Sequence, residues 1–360
     1  MSTNSPNMSI PLAMFLAKSP ATHGSFPEQG VNYWERFCRI DEHLNRNVHP
    51  FVNQGATAAL QVQEDGEQAE SRWLTDHGPD HITTVMRQAS ALSGDAACCL
   101  SPYECYLLLI AAHFHDVGNI FGREEHERKI TKVMGEMDSS LIGEDTLEKR
   151  VIRDIAMAHG GYYKKGDKDT ISRLRYEGPQ HDQPRIKMLA AVLRLADELA
   201  DDRTRTNRFL LDNGLVNPES IVFHTYASRL HPIKVNRNEH SINMYFDVSS
   251  DLLLKTFRKD GQDVYLIDEI FARTLKTYKE KLYCSRFLRP AVHVDTVHVH
   301  IDICDSKYME VREKISYSMN ERGYPDHPRT LADICPEVRG ITGESLREKY
   351  AAPANTGGAS

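Results

Sequence analysis

Histidine and aspartate recur through the first two hundred residues at places where a purely structural protein would use apolar side chains: His77, His81, His113, His115, Asp116, His126, His159 and Asp197. Imidazole nitrogen and carboxylate oxygen are the usual ligands of divalent zinc, manganese, iron and magnesium-type ions, so the chemistry this set offers is metal binding and metal-assisted hydrolysis. The strongest pair is His115-Asp116, which closes the apolar run 106–112 and is followed by Val117-Gly118. Burying both groups costs several kcal/mol unless something compensates them, and a dication does so directly. Neighbouring helical residues point about 100° apart, so the pair reaches one ion only from its flank or from a relaxed last turn. The other reading is an ordinary helix end, with His answering the helix dipole and Asp capping the next segment.

Asp197 ends the stripe Ile186, Ala190, Leu193, Asp197, which puts a carboxylate on the core side of a helix. It either ligates an ion or pairs with a base such as Arg194. His81 falls in a first helical turn, with Val85 one turn on keeping it on an apolar face; a satisfied core histidine is its alternative. His77 precedes that helix and reads as structure or substrate contact. His126 stands in the charged run 123–129 and His159 closes a helix before Gly160-Gly161-Tyr162.

The elements that must position these groups are mostly helices. Pro79 suits the first turn of a helix reaching about residue 92. Ser101-Pro102-Tyr103-Glu104 is a capping-box sequence, and the helix it opens, 103–115, is apolar nearly all round and hence buried. Gly118 and Gly122 interrupt the chain. Further helices are expected at 124–137, at 145–158 with a stop at Gly160-Gly161, and at 186–201. Upstream, 33–44 carries Trp34, Phe37, Ile40 and Leu44 at helical spacing. Residues 54–70 are Gln/Glu-rich and read as a loose connection. Near residue 213 the texture changes: 221–226, 233–236, 241–248 and 292–303 read as strands, and 263–287 as a helix. His293, Asp295, His298 and His300 fall on the last of these strands and read as an exposed face. The fold class is therefore mainly α. A flexible N-terminus (1–28) precedes a helical bundle (29–212), a smaller α+β module (213–310), and a C-terminal helix with a flexible tail (311–360).

The chain has 360 residues, 40% hydrophobic and 26% charged, which excludes global disorder. Its net charge of −7 argues against a chain-wide nucleic-acid surface. No apolar run approaches the roughly 18–20 residues a membrane span needs. Residues 8–17 lack a preceding basic segment, so no secretory signal is expected. Seven cysteines without a C-x-x-C pair read as reduced thiols in a cytoplasmic protein.

The order His81, His115-Asp116, Asp197 on separate helices resembles the HD-domain metal-dependent phosphohydrolase superfamily. Three stretches carry the resemblance: His81 with Val85, Ala111-Ala112-His113-Phe114-His115-Asp116-Val117-Gly118, and Leu193-Arg194-Leu195-Ala196-Asp197-Glu198-Leu199. Thr75-Asp76-His77-Gly78-Pro79-Asp80-His81 and the α+β tail look most like the HD branch tied to bacterial conflict and effector systems, HD-CE, over residues 30–310. The resemblance implies an HD-domain bundle whose His81, His115, Asp116 and Asp197 bind a metal. In two-metal members such as the HD-GYP phosphodiesterases, histidines at places comparable to His126 and His159 bind the second ion. One or two divalent ions (Mn, Mg, Fe, Zn, Ni or Co) are thus expected. Many HD hydrolases have Lys three residues after the aspartate; here Asn119 stands there, which weighs against a direct lysine–phosphate contact.

The expected activity is hydrolysis of nucleotide phosphate bonds, deoxynucleoside triphosphates first, in a setting of bacterial anti-phage defence. The alternatives are a phosphodiesterase for cyclic nucleotides or single-stranded nucleic acid, and a nucleotide-sensing module without turnover. His115 and Asp116 are the expected catalytic groups, with His113 either an acid beside them or a residue that packs in the helix. His77, Asn119, Tyr162, Lys164, Lys165, Arg203 and Arg205 are the expected substrate contacts, the cations because phosphates need them and Tyr162 for stacking on a base. The expected partners are the nucleotide, further copies of the chain in a homo-oligomer, and a defence-system protein, with no membrane.

Overall fold

The computed structural model describes residues 9–19, 26–28, 30–53, 77–94, 99–176, 183–206, 208–214, 216–289, 291–305, 307, 310–321 and 330–351. The expected loose connection at 54–70 and the tail beyond residue 351 lie outside them. The chain divides into two compact units. The first comprises residues up to Ala200 together with Glu280–Val294, and the second Asp201–Lys279 with Asp295–Ser360. The architecture is mainly α, with a four-stranded and a two-stranded sheet among the described residues.

In the first unit the helices are α1 (Pro11–Lys18), α2 (Tyr33–Asn47), α3 (Pro79–Ser93), α4 (Pro102–Phe114), α5 (His126–Glu136), α6 (Thr146–Met157) and α7 (Ile186–Glu198). Helix α4 is the axis of the bundle: every residue from Glu104 to Phe114 is buried, and α1, α2, α3, α6 and α7 pack around it. Its start follows the capping-box expectation. Ser101 Oγ accepts from the Glu104 amide at 3.1 Å, and Glu104 Oε2 accepts from the Ser101 amide at 2.9 Å. Glu104 also accepts two bonds from the Arg185 guanidinium (2.8 and 2.7 Å), fixing the entry to α7. A buried ion pair, Arg36 Nη1 to Glu148 Oε1 at 3.0 Å, ties α2 to α6.

Helix α1 corrects the expectation of a mobile N-terminus at its residues 11–18. Leu12, Ala13 and Leu16 are buried against α3 and α4, so tertiary packing outweighs the Ser/Pro-rich composition around them. Among the described residues Cys38, Cys105, Cys284 and Cys304 are free thiols. Among the described residues no helix is long and apolar enough to cross a membrane.

The second unit holds a four-stranded sheet of order β1-β2-β5-β6, from β1 (Lys234–Asn236), β2 (Ser241–Ser249), β5 (Thr296–Cys304) and β6 (Val311–Asn320). β2 and β5 run parallel, which requires a long crossover. The crossover carries the hairpin β3 (Thr256–Lys259) and β4 (Gln262–Tyr265), then helix α9 (Leu266–Leu288); α8 (Ile221–Arg229) precedes the sheet and α10 (Gly343–Ala351) follows it. Alternation sets the buried face: Ile242, Met244, Phe246 and Val248 on β2, Val297 to Ile303 on β5, and Ile315, Tyr317 and Met319 on β6. Thr274 of α9 meets the Tyr317 hydroxyl at 2.7 Å on that face. On the other face His298 and His300 bond to Ser318 (2.6 Å) and Ser316 (3.1 Å), as befits a polar strand face.

Two expectations fail here. Residues 221–226 are helical, because Val222, Tyr226 and Ala227 bury one helical side and Pro218-Glu219-Ser220 opens the turn. Residues 311–320, placed outside the module, form its fourth strand.

Candidate metal centre

Four helices and one 3₁₀ turn converge at the end of α4. Helix α3 presents His81 from its first turn, α4 ends into His115-Asp116, α5 opens with His126, α6 runs out into His159, and α7 carries Asp197 in its last turn. The 3₁₀ turn Val117–Phe121 relaxes the chain after Asp116, whose φ of −108° and ψ of 0° leave the helical path. That break allows adjacent His115 and Asp116 to face one point, as the last-turn requirement demanded. Gly118 sits in this turn against α5. A Cβ there would lie 1.9 Å from the His126 carbonyl oxygen, so only glycine lets the turn and α5 approach.

Three trios of ligating side chains gather here, the atoms of each trio within 4.8 Å of one another: His77, His81, Asp116; His81, His115, Asp197; and Asp116, His126, His159. Among the described residues all such groups fall at this centre. Asp116 joins two of them through different oxygens. Its Oδ2 lies 2.6 Å from His77 Nδ1, 3.4 Å from His115 Nε2 and 3.6 Å from His81 Nε2. Its Oδ1 lies 3.2 Å from His126 Nε2 and 3.8 Å from His159 Nε2. Asp197 Oδ1 is 3.1 Å from His81 Nε2 and 3.6 Å from His115 Nε2.

The histidines are turned so that Nε2 faces inward. His115 Nδ1 donates to Ala112 O (2.7 Å), His159 Nδ1 to Ala156 O (2.6 Å) and His126 Nδ1 to Arg123 O (3.1 Å). A carbonyl only accepts, so the proton is on Nδ1 and the inward Nε2 of the neutral ring carries the lone pair, the form a metal binds. Among the described residues His115 Nε2, which is buried, makes no hydrogen bond, although two carboxylates stand close by. A nitrogen aimed at two carboxylates without hydrogen-bond alignment, repeated around one shared carboxylate, suits a cation among them. The donor set therefore fits one or two divalent ions.

The electrostatics agree. Burial opposes ionisation of Asp116 and Asp197, but the surrounding histidines, His115 foremost, outweigh it and hold both well below the usual carboxylate range. Burial likewise opposes a charge on His115, yet the Asp116 and Asp197 carboxylates raise it to about 10. Burial and the His115 charge push His159 down to about 4. Among the protein groups themselves a proton on His115 balances the two acids. A dication can take over that role.

Other expected contacts fall differently. His77 lies at the centre as a partner of Asp116. Arg123 Nη1 donates to His77 Nε2 at 3.1 Å, so Nδ1 carries the proton that His77 gives to Asp116. Asn119, buried, donates its amide to Asp116 Oδ1 at 3.1 Å, and thus holds the carboxylate. His113 belongs to none of the trios. It stands two residues before His115, some 200° round the helix. There its Nδ1 meets His49 Nε2 at 3.3 Å, and its Nε2 lies 3.2 Å from Asp41 Oδ1 without hydrogen-bond alignment. Tyr162, Lys164 and Lys165 are exposed in the loop after His159, with the Lys168 ammonium 5.2 Å from the Tyr162 ring centre. Arg203 and Arg205 belong to the second unit, where Arg203 meets His231 Nδ1 at 2.7 Å and Arg205 lies 3.9 Å from Asp201. Sequence reasoning missed Arg123 and Glu127. Their signal was their position in the short connection that carries His126.

A model of the HD-CE family matches residues 72–263, somewhat more than half of the chain. No curated protein and no solved structure matches.

Proposed function

The chain belongs to the HD-CE family, and from that premise we propose that it is a metal-dependent phosphohydrolase acting on nucleotides, with deoxynucleoside triphosphates as its first substrate and anti-phage defence as its setting. One observation carries the reading: a single buried carboxylate, Asp116, shared by two sets of inward-facing imidazoles. His81, His115, Asp116 and Asp197 would hold one ion, and Asp116, His126 and His159 a second. A divalent cation so held acidifies water and neutralises charge on a phosphoryl oxygen, which is the chemistry hydrolysis of a phosphate ester or anhydride requires.

The chain's own groups do the rest. His77 and Asn119 pin Asp116 from opposite oxygens, fixing the shared ligand in one orientation. Burial of His81, His115 and Asp116 keeps bulk water from competing for their inward atoms. Arg123, exposed and linked to the centre through His77, offers a guanidinium for a phosphate, and Lys164 and Lys165 offer ammonium groups from the loop after His159. This supports a polyanionic substrate, and the deoxynucleotide choice rests on the family's general chemistry. A homo-oligomer and a defence-system partner belong to the same proposal.

The test is incubation of purified protein with Mn²⁺ and a panel of deoxynucleoside triphosphates, ribonucleotides, cyclic nucleotides and single-stranded DNA, with products resolved by chromatography. Release of inorganic triphosphate and deoxynucleoside supports the proposal. A linear monophosphate from a cyclic or polymeric substrate replaces it with a phosphodiesterase. Tight nucleotide binding by metal-loaded protein without turnover over hours replaces it with a sensing module.

A further inference from the structure

Beside the half of the centre formed by His126 and His159, the first unit has a cavity of about 340 Å³. Its walls start at the immediate neighbours of those two histidines, Glu127 on one side and Ala158 and Gly160 on the other. They also include Tyr162 and Tyr163, with Met157 and Leu174 as apolar lining. The volume is at the lower end of the roughly 300–1,000 Å³ of small-molecule sites, enough for a single sugar-and-base unit.

The charged groups of its lining are Glu127, Arg128 and Asp154; Arg128 pairs with Glu125 (2.8 Å) and Asp154 with Arg153 (2.6 Å), which leaves the Glu127 carboxylate for a ligand. The Glu127 side chain is 16% exposed, His126 Nδ1 stands 3.7 Å from it, and its carboxylate makes no hydrogen bond among the described residues. It lies over the Gly160-Gly161 backbone: a Cβ on Gly161 would come within 2.8 Å of Oε1, and one on Gly160 within 3.3 Å. The glycine pair that ends α6 therefore leaves the carboxylate its space. A carboxylate accepts hydrogen bonds and repels phosphate, so a ligand entering here must present hydroxyl or amino donors to Glu127 and keep its anionic end elsewhere. Tyr162 and Tyr163 stand half-exposed in the lining, each with one cation within reach of its ring, Lys168 at 5.2 Å and Arg173 at 4.7 Å. Neighbouring metal ligands, a hydrogen-bond acceptor and aromatic rings are the three kinds of group that the phosphate, sugar and base of a nucleotide require.

We propose that this cavity takes the nucleoside part of the substrate. Glu127 accepts from the sugar's 3′-hydroxyl, Tyr162 and Tyr163 flank the base, and the phosphate is directed to the His/Asp centre. Glu127 is then a specificity-determining residue. The orientation of the ligand rests on the phosphohydrolase reading; occupancy of the cavity by a nucleoside does not.

Saturation-transfer NMR with phosphate-free probes (adenosine, guanosine, cytidine, uridine, thymidine) separates the two. At least one nucleoside should bind the wild-type protein at millimolar concentration. Glu127→Gln should weaken it about tenfold or more, the usual loss when a charged hydrogen-bond partner is removed. Met157→Trp, which fills the cavity, should abolish it, and thermal melting verifies that both variants are folded. Absence of nucleoside binding, or equal binding by wild type and both variants, overturns the cavity assignment, even if nucleotides are hydrolysed. Variant-sensitive nucleoside binding without hydrolysis of any nucleotide keeps the cavity and removes the phosphohydrolase.

Discussion

Gly118→Ala probes the local packing that builds the centre. The added Cβ would sit 1.9 Å from the His126 carbonyl oxygen, 2.8 Å from its carbon and 3.2 Å from Lys129 Cβ. The first two obstacles are backbone, so no rotamer change relieves them. Helix α5 and the turn Val117–Phe121 must part by about 1.1 Å merely to reach 3.0 Å, below which real contacts essentially never fall. Overpacking of this kind costs about 1–3 kcal/mol, sometimes more. For a unit of this size that lowers the melting temperature by about 2–12 °C, at 2–4 °C per kcal/mol. The same displacement carries His126 away from Asp116 Oδ1, now 3.2 Å distant, and an error of about 1 Å in such a group costs activity on the order of a hundredfold. Gly135→Ala is the control in the same helix: nothing lies within 4 Å of its Cβ position, so the change should stabilise α5 by about 0.5–1 kcal/mol. Differential scanning calorimetry and metal titration read both variants. If Gly118→Ala melts like the wild type and binds metal equally, the close approach of turn and helix does not exist and the placement of His126 fails with it.

Three further outcomes follow from the geometry. Asn119→Ala removes the amide that holds Asp116 Oδ1 and should weaken metal binding about 10- to 100-fold while the fold persists, read by competition with a chromophoric chelator. In chelated protein, His115, raised to about 10, gives stability that is complete below its ordinary value of about 6.5 and fades as pH rises through 10. Asp116 and Asp197, held low, give stability present above the ordinary carboxylate range and lost as acid protonates them. His159, held down to about 4, adds a loss of stability as pH falls below 6.5, so melting temperature should peak near pH 6.5 and fall on both sides; a flat profile to pH 10 would refute the charge assignment. Arg123→Ala should raise KM for a triphosphate about tenfold or more with metal content retained; an unchanged KM would remove the guanidinium from the phosphate site.

Much of this arrangement was readable from the chain because helix ends and buried polar groups are local signals. The capping box at Ser101-Pro102-Tyr103-Glu104 placed α4, and its apolar surface all round placed it at the bundle axis. The stripe ending at Asp197 put that carboxylate on the core side, where it meets His81. Convergence was not readable, since no spacing along the sequence says that α5 and α6 bring His126 and His159 to 3.4 Å of each other. The separation of His113 from the trios was readable in part, because two helical steps turn it away from His115. Residues 221–226 misled because a short β-branched and aromatic run has no period of its own, and burial on one side decided for helix. The Asp260-Gly261 pair, with φ of 50° and 74°, marks the β3–β4 hairpin by the usual two-residue turn chemistry, and that signal was overlooked. Strand β6 kept its period of two at Ile315, Tyr317 and Met319, masked by Lys314, Ser316 and Ser318 on the outer face.

The central claim is that imidazoles and carboxylates from separate helices share a divalent cation. Elemental analysis of the natively purified protein beside a His115→Ala/Asp116→Ala variant tests it most directly. One or two tightly held transition-metal ions per chain in the former and none in the latter is the expected result; equal metal in both would contradict the account.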